Sequence, residues 1–459
     1  MHAPNAMNKT NIRALIADSL IEMERDGTYL SVMEQSVLDK YDHIDPRDKA
    51  FYKKVMDGTT EYRLKIDYIL GNFSKTPVDR LKPAIRAIMR MSIYQLIWMD
   101  YVPDSAVVNE AVKLTASRGL SGLKGYVNGT LRNISGNKDN VCYSKKTDDM
   151  AKYLSIEYSC PEWIVRQFIM EYGVKRAESI LASFLQKDRT LSVRLRDMAG
   201  LDTRWKSDGV EVYINPHLGF ARLLKDAGAV NALAGYKEGR FAVQDTGSMF
   251  VAELAEIPPG AVVMDLCAAP GGKSIHVADK LCKLTPKGHV YSYDISETRC
   301  ERLKDNIARL GLDDMISVHV HDMAVPVSGM LNTADTVIAD VPCSGLGVLA
   351  HKSDIKYRIT NEDIDSLVAL QRSIIDNAAG ILVYYNPDLY LNDTYCLGDA
   401  FLSKLPAVYD PNWRVGHLRR AVPEGYRESI WNNDNEIKDP DLHEYYDIIR
   451  LITRGRLFD

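Results

Sequence analysis

The 459-residue sequence lacks the features that mark membrane-spanning, secreted and disulfide-rich proteins. No apolar run approaches the roughly 18–20 residues that a membrane helix needs. The amino-terminal residues MHAPNAMNKTN contain no apolar segment typical of a secretion signal. The seven cysteines are odd in number and form no CxxC pair, which disfavours a disulfide framework and a structural zinc site. We therefore expect a protein of the reducing cytoplasm, without membrane association or bound metal.

Neither sign of charge dominates the chain, because 57 Lys and Arg face 62 Asp and Glu. Residues 51–140 nevertheless contain 14 basic and 8 acidic residues, so the remainder of the chain is acidic. A basic surplus of this size is more often a solvated face than a binding site, although it also fits an RNA or DNA partner. At about 100–200 residues per domain, the length indicates two to four domains.

Periodicity divides the chain into three regions. Residues 9–134 are predicted to be all-helical, because apolar residues recur at three- and four-residue steps. After a polar linker, residues 150–255 predict a small α+β module with a helix from Trp163 to Leu185 and a strand from Leu191 to Leu195. From 256 to 459, apolar strands alternate with helices, which is typical of a parallel sheet. The predicted strands are Val262–Leu266, His289–Tyr293, Ile316–Val320 and Thr336–Ala339.

A run of small residues, Cys267–Ser274, joins the first of these strands to a helix. Small residues at this position let a ligand approach the backbone at the carboxyl edge of the sheet, where open α/β sheets bind their ligands. The run matches neither the Walker A pattern nor GxGxxG. A Gly-Gly pair alone fits a tight strand–helix turn equally well.

Acidic residues end the next three strands. Asp294, Asp322 and Asp340 follow the second, third and fourth strand, respectively. An acid at the end of the second strand is where the ribose hydroxyls of a nucleoside cofactor find acceptors. Three acids along one sheet edge, beside the loop of small residues, indicate a nucleoside-containing cofactor.

A cysteine follows the last of these acids in the run Asp340-Val341-Pro342-Cys343-Ser344-Gly345-Leu346-Gly347. An isolated cysteine is usually a small apolar filler. Its place in a Pro- and Gly-rich turn at a strand end instead favours Cys343 as a nucleophile.

Together, DLCAAPGGKS, Asp294, Asp322 and DVPCSGLGVLAHKSDIKY resemble the RNA 5-methylcytosine methyltransferases of the Sun/Nol1/Nop2 family. Upstream, RDKAFYKKVMDGT, RAIMRMSIYQLIWMDYVPDSAVVNEAVKL and GYVNGTLRNI are similar to the NusB-type domain of its bacterial branch, which modifies small-subunit (16S) ribosomal RNA. The resemblance spans residues 9–385. It implies a Rossmann-like methyltransferase domain, S-adenosylmethionine as cofactor and RNA rather than DNA as partner, and we expect a monomer.

The resemblance also implies roles for individual residues. Asp294 would hold the ribose hydroxyls, Asp322 the adenine amino group, and Asp340 would lie near the methyl sulfur and the target base, where it shares catalysis with Cys343. The methionine and ribose would be lined by Cys267, Ala268, Ala269, Pro270, Gly271, Gly272 and Lys273. RNA contacts are expected at Arg86, Arg90, Lys352 and Arg358, and a flipped base could stack on Tyr357, Tyr384 or Tyr385.

One departure from the family concerns its nucleophile, a cysteine in a Ser-Thr-Cys-Thr run after the fifth strand. Here that strand is expected at Ile381–Tyr384, and Pro387 occupies the place of the cysteine. Three hypotheses follow: the chain has lost catalysis and only binds RNA and cofactor, Cys343 is the nucleophile, or Cys396 loops back into place. A small-molecule methyltransferase is disfavoured by the long region upstream of the cofactor loop.

Overall fold

The computed structural model describes residues 11–381, apart from residues 42, 139–148, 187–189, 256, 328 and 331–332. The chain divides into two compact units. The helical unit comprises Met1–Lys187 and Val348–Ile359, and the sheet unit comprises Asp188–Gly347 and Thr360–Asp459. The predicted boundaries at residues 134, 150 and 256 therefore do not coincide with those of the units.

Helices form the first part of the helical unit, as the apolar periodicity predicts. The first helix begins where the Asn11 side chain accepts a hydrogen bond from the backbone N–H of Ala14, and it ends at Gly27 in the left-handed conformation. The predicted apolar stripe is buried at Ile85 and Ile88. The helices are α1 (Ile12–Asp26), α2 (Leu30–Lys40), α3 (Pro46–Glu61), α4 (Arg63–Phe73), α5 (Pro83–Trp98), α6 (Asp104–Ser117) and α7 (Lys124–Gly136).

Two further helices, α8 (Met150–Glu157) and α9 (Glu162–Leu185), also belong to the helical unit. In the turn between them, the Ser159 hydroxyl accepts a hydrogen bond of 3.1 Å from the backbone N–H of Leu64 in α4. The helices of the predicted α+β module over residues 150–255 thus belong to the helical unit, and its strands belong to the sheet unit. Its helical half is held to the helical unit by contacts that sequence periodicity does not encode.

The segment Val348–Ile359, called the strap below, follows the Pro-Cys turn in the sequence but belongs to the helical unit. The carboxylate of Asp354 accepts a hydrogen bond of 2.9 Å from the backbone N–H of Leu30, at the start of α2. The hydroxyl of Tyr357 lies 3.1 Å from the carbonyl oxygen of Glu61, at the end of α3. The strap is therefore an integral part of the helical unit.

The sheet unit begins with a small antiparallel sheet in the order β2-β3-β1-β4. Its core contains Trp205 and Phe241, whose rings pack edge to face with centroids 5.3 Å apart. The elements are β1 (Leu191–Leu195), α10 (Leu201–Ser207), β2 (Glu211–Ile214), β3 (Ala221–Lys225), β4 (Phe241–Val243) and α11 (Thr246–Leu254).

A parallel sheet in the order β7-β6-β5-β8 follows, and its strands match the four predicted ones closely. Parallel strands need crossover connections, which here contain helices after the first two strands. This confirms the predicted Rossmann-like arrangement. The elements are β5 (Val262–Asp265), α12 (Gly272–Leu281), β6 (His289–Asp294), α13 (Glu297–Leu310), β7 (Ile316–Val320), β8 (Thr336–Ile338) and α14 (Asn361–Ile381).

The predicted fifth strand does not begin at Ile381, because this residue is the last of α14. Ile374 and Ala378 are buried in the core of the sheet unit, and their spacing of four residues is helical. The other residues of the predicted strand, together with Tyr384, Tyr385, Pro387 and Cys396, lie outside the described residues. None of the described helices is both long and apolar enough to cross a membrane.

Candidate active site

The loop between β5 and α12 contains a glycine that no other residue can replace without strain. Gly271 has a φ of 107°, and a Cβ built there would lie 2.3 Å from Cδ1 of Leu303. Its N–H donates to the carbonyl of Ala268, whose own N–H donates to the carbonyl of Tyr293 in β6. The predicted cofactor loop, residues 267–273, is therefore a tight turn held against the carboxyl end of β6.

Asp294 ends β6 and is 3% exposed. One carboxylate oxygen accepts a hydrogen bond of 3.2 Å from the N–H of Ala269 in the cofactor loop, and the other accepts one of 3.0 Å from Ser296. The guanidinium of Arg299, which sequence analysis missed, lies 3.4 Å away. Each carboxylate oxygen has two lone pairs, so Oδ1, which the Ser296 N–H contacts, can still accept a ribose hydroxyl, whereas Oδ2 is contacted by both Ala269 and Arg299.

Asp340 follows β8, and its carboxylate lies 2.5 Å from the ammonium of Lys273. The Lys273 side chain is only 10% exposed, whereas that of Asp340 is 32% exposed. A buried ammonium needs a counter-charge, which Asp340 supplies. The ion pair thus connects the cofactor loop to the segment that leads to Cys343.

Asp322 lies two residues beyond β7, where its carboxylate accepts a hydrogen bond of 2.9 Å from the N–H of Ala324. The strand order places Asp322 beside Asp294, then the cofactor loop, and then Asp340 along the carboxyl edge of the sheet. The three predicted acids are therefore brought to one edge, in the register that the sequence analysis expected.

A fourth acid at this edge, Asp265, was missed as a site residue. It ends β5, is fully buried, and accepts a hydrogen bond of 2.6 Å from the Ser274 hydroxyl. That hydroxyl accepts one of 2.8 Å from Ser292. Burial raises the pKa of Asp265 to about 6, against the opposing effects of the Ser274 hydrogen bond and the charge of Lys273. The sequence signal that could have identified Asp265 is an acidic residue at the end of an apolar strand, the same signal that identified Asp294.

The cysteine of the cofactor loop is not suited to nucleophilic attack. Burial, followed by the negative charges of Asp265 and Asp340, raises the pKa of the Cys267 thiol to about 12. A thiol with this pKa is protonated at neutral pH, and the thiolate is the reactive form. Cys160 and Cys300, which lie outside the sequence motifs, are buried.

Cys343 lies in the turn after β8 and is half-buried. The carbonyl of the preceding Pro342 accepts a hydrogen bond of 2.7 Å from the side-chain amide of Gln371 in α14. This bond fixes the backbone of the turn beside the cysteine. Among the described cysteines, Cys343 is therefore the one in a constrained turn three residues beyond the Lys273–Asp340 pair.

Arg86 and Arg90, which the sequence predicts to contact RNA, are both paired with acidic residues of the helical unit. Nε of Arg86 lies 3.1 Å from the Glu24 carboxylate of α1, and Nε of Arg90 lies 2.7 Å from the Asp67 carboxylate of α4. Both arginine side chains are 14% exposed. Both arginines lie away from the apolar stripe of α5, and their side chains lie among α1, α4 and α5 rather than in solvent. Both charges are engaged within the unit.

Of the two residues predicted to contact RNA in the strap, only Lys352 is exposed. The guanidinium of Arg358 donates to the carbonyls of Gly27 and Thr28 and lies over the ring of Tyr29. The hydroxyl of Tyr357 lies 3.1 Å from the carbonyl oxygens of Glu61 and Ser159, and the Arg63 guanidinium lies 3.8 Å from the centre of its ring. The side chains of Tyr357 and Arg358 thus bind the strap to the other helices of the unit.

The fold and the site together define a class of protein. A parallel sheet with a glycine-bearing turn after β5 and a carboxylate at the end of β6 is typical of enzymes that bind a nucleoside-containing cofactor. In the described part of the chain, no group of three or more His, Cys, Asp or Glu is placed to hold a metal ion.

Comparisons with known proteins identify the family. Residues 10–136 match the NusB family, and residues 253–408 match the family described as 16S rRNA methyltransferase RsmB/F. The chain is 30% identical over 437 residues to a probable ribosomal RNA small subunit methyltransferase B of Bacillus subtilis, covering 92% of this chain and 94% of the relative. The ribosomal RNA small subunit methyltransferase B of Proteus mirabilis is 27% identical over 427 residues, which cover 91% and 96% of the two chains.

The crystal structure of PH0851 supports the fold, with a TM-score of 0.65 at 20% identity over 81% of this chain and 83% of that one. The chain belongs to the ribosomal RNA small subunit methyltransferase B family. It is accordingly a methyltransferase, and the cofactor of this class of enzyme is S-adenosylmethionine.

Proposed function

We propose that this chain methylates C5 of a cytosine in small-subunit ribosomal RNA, with Cys343 as the covalent nucleophile. The observation that carries the proposal is the ion pair between Lys273 and Asp340, which connects the cofactor loop to the turn that contains Cys343. The relatives named above as small-subunit ribosomal RNA methyltransferases support the choice of RNA as substrate.

The residues at the sheet edge fit S-adenosylmethionine. The loop that would receive the methionine part of the cofactor has no side chain at Gly271. A Cβ added at this position would clash with Leu303. Asp294 retains acceptor capacity for the ribose hydroxyls, and Asp322 offers a carboxylate to the adenine amino group. When bound, the cofactor supplies an electrophilic methyl group on a sulfonium.

Cytosine C5 is a poor nucleophile, so the chain must activate it. The Cys343 thiolate adds to C6, and the new S–C6 bond raises the electron density on C5. C5 so activated would accept the methyl group that the bound cofactor supplies, and the electron pair of the broken carbon–sulfur bond would remain on the cofactor's sulfur. A base removes the C5 proton, the C5–C6 double bond forms again, and the thiolate leaves. Asp340 acts at the N3 edge of the base, where it passes to the adduct a proton that it takes from the paired Lys273 ammonium.

The test uses the full chain, labelled S-adenosylmethionine and small-subunit ribosomal RNA that lacks the modification. We expect methyl transfer to cytosine C5 and a covalent adduct with 5-fluorocytosine RNA, because the fluorine at C5 blocks the final elimination. Cys343→Ala should abolish both. The matched control is Cys282→Ala, a half-buried cysteine outside the motifs, which should retain both.

The other outcomes separate the remaining hypotheses. Loss of the adduct in Cys396→Ala, with the adduct retained in Cys343→Ala, would assign the nucleophile to Cys396. Cofactor binding with neither transfer nor adduct would support the alternative of a catalytically impaired protein that binds RNA and cofactor. That alternative is favoured by Pro387, which stands where the resemblance expects a cysteine.

A further inference from the structure

A cleft of about 470 Å³ opens in the helical unit between the start of α1, one face of α3 and the turn after α5. It is lined by three basic side chains, one acidic side chain and two aromatic rings. These are Arg13, Arg47, Lys54, Asp48, Phe51 and Tyr101, and the cavity is called the α1–α3 cleft below.

Two of its cations form no ion pair with the described residues of the chain. Within the described residues, no carboxylate oxygen lies within 4.0 Å of the side-chain nitrogens of Arg47 or Lys54, and both side chains are exposed. Arg86 and Arg90 differ, because both are paired with carboxylates and largely buried. The α1–α3 cleft therefore offers exposed positive charge to a polyanion, whereas Arg86 and Arg90 of α5 do not.

The same cleft offers aromatic surface. Tyr101 is 63% exposed, and the Lys54 ammonium lies 5.0 Å from the centre of its ring. Deeper in the cleft, the Arg13 guanidinium lies 4.8 Å from the centre of the Phe51 ring, and its Nε donates to the side chain of Gln95. Cation–π contacts of this kind hold the rings and the charges in one place.

Single-stranded nucleic acid is the ligand class that matches both features. Its phosphates pair with lysine and arginine, while its unpaired bases stack on exposed aromatic rings. We propose that the α1–α3 cleft binds a single-stranded segment of the substrate RNA, with Arg47 and Lys54 on phosphates and Tyr101 under a base. This rests on the proposed function, because it takes the RNA substrate as the ligand.

The test measures the affinity of the full chain for unmodified small-subunit RNA at several salt concentrations. Lys54→Ala and Arg47→Ala should each weaken binding and lower the slope of log K against log salt by about 1. Tyr101→Ala should weaken binding about 5- to 150-fold, whereas Tyr101→Phe, which keeps the ring, should stay within about twofold of wild type. In the methylation assay, the affected variants should raise KM for RNA and leave kcat unchanged at saturating RNA.

The matched control is Lys113→Ala, which removes an exposed lysine of the same unit that is already paired with Glu110 at 2.8 Å. It should leave both the affinity and the salt slope unchanged. Thermal unfolding of each variant shows whether the unit is intact, and Tyr101→Phe separates stacking from any effect on folding.

Binding by the wild type together with unchanged affinity and salt slope in the cleft variants would overturn this inference and leave the proposed function intact. If the cleft variants kept their RNA affinity but bound another protein less well than the wild type does, the cleft would be a protein-binding site and this inference would be overturned as well. A wild-type chain that binds the cofactor but neither binds nor methylates the RNA would instead overturn the proposed function, and this inference with it.

Discussion

The ammonium of Lys273 lies 2.5 Å from the carboxylate of Asp340, across the carboxyl edge of the parallel sheet. Lys273 opens α12 and Asp340 follows β8, so the two are 67 residues apart in the chain. They meet because β5 and β8 are neighbours in the sheet. The pair joins the cofactor loop to the turn that contains Cys343, which gives the first prediction.

Asp340→Asn should lower the rate of methyl transfer about 100-fold, because an amide neither balances the buried Lys273 charge nor acts as an acid. The measurement is single-turnover transfer at saturating RNA and cofactor. Asp335→Asn is the matched control, since Asp335 lies at the opposite end of β8 and bonds to the backbone of Val262. A variant at position 340 with wild-type turnover would contradict a role for this carboxylate.

Gly271→Ala should destabilise the sheet unit by about 1–3 kcal/mol and weaken cofactor binding, because the residue has a φ of 107° and its Cβ would meet Leu303. Denaturant unfolding and calorimetric titration with S-adenosylmethionine measure the two effects. Gly311→Ala is the control: its φ of 64° is also positive, but nothing lies within 4 Å of the added Cβ. Equal costs for the two variants would show that the clash with Leu303 is irrelevant.

Asp265 should make stability depend on pH. Burial raises its pKa from 3.8 to about 6, so between these values the folded chain holds a proton that the unfolded chain has released. This stabilising contribution is fully present below pH 3.8 and is lost as the pH rises through about 6.

Asp265→Asn cannot titrate, so its free energy of unfolding relative to wild type should rise between pH 4 and pH 7 by at most about 3 kcal/mol. Denaturant unfolding at closely spaced pH values measures this difference. Parallel curves for the two proteins across this range would contradict the raised pKa.

Tyr357→Phe should destabilise the helical unit by about 1–3 kcal/mol, because it removes a buried hydroxyl that lies 3.1 Å from the carbonyls of Glu61 and Ser159. Urea unfolding of the full chain measures the loss. Tyr213→Phe is the control, since this tyrosine is 51% exposed and bonds only to the nearby Glu211 within the described structure. Equal stabilities of the two variants would mean that the strap does not depend on Tyr357.

Much of the fold follows from local patterns. The strands β5 to β8 lie where short apolar runs end in loops, and the acids Asp294 and Asp340 lie at the predicted sheet edge. The start of the expected fifth strand was wrong because Ile381 begins an apolar run that also continues a helical repeat. Short apolar runs satisfy both periodicities, and packing chooses between them.

The candidate site divides in the same way. The cofactor loop and the acids at the strand ends could be predicted from the sequence. A strand–turn–helix unit that binds a nucleoside cofactor needs small residues in its turn and an acidic residue at the end of the next strand. The buried Asp265–Ser274 bond and the contact between Arg299 and Asp294 were not, since they depend on which side chains face one another after folding.

Local sequence order was thus sufficient for the helical domain, the parallel sheet and the cofactor edge, because helix and strand periodicity and strand-end chemistry are properties of neighbouring residues. Only the tertiary structure decided which charged side chains are bonded within the protein and which are exposed to solvent. Arg90 meets Asp67 from 23 residues away, and Asp354 of the strap meets Leu30 from 324 residues away. Such pairs form only when distant segments pack, and they place the side chains of Arg90 and Asp354 in internal bonds, whereas Arg47 and Lys54 of the α1–α3 cleft are exposed.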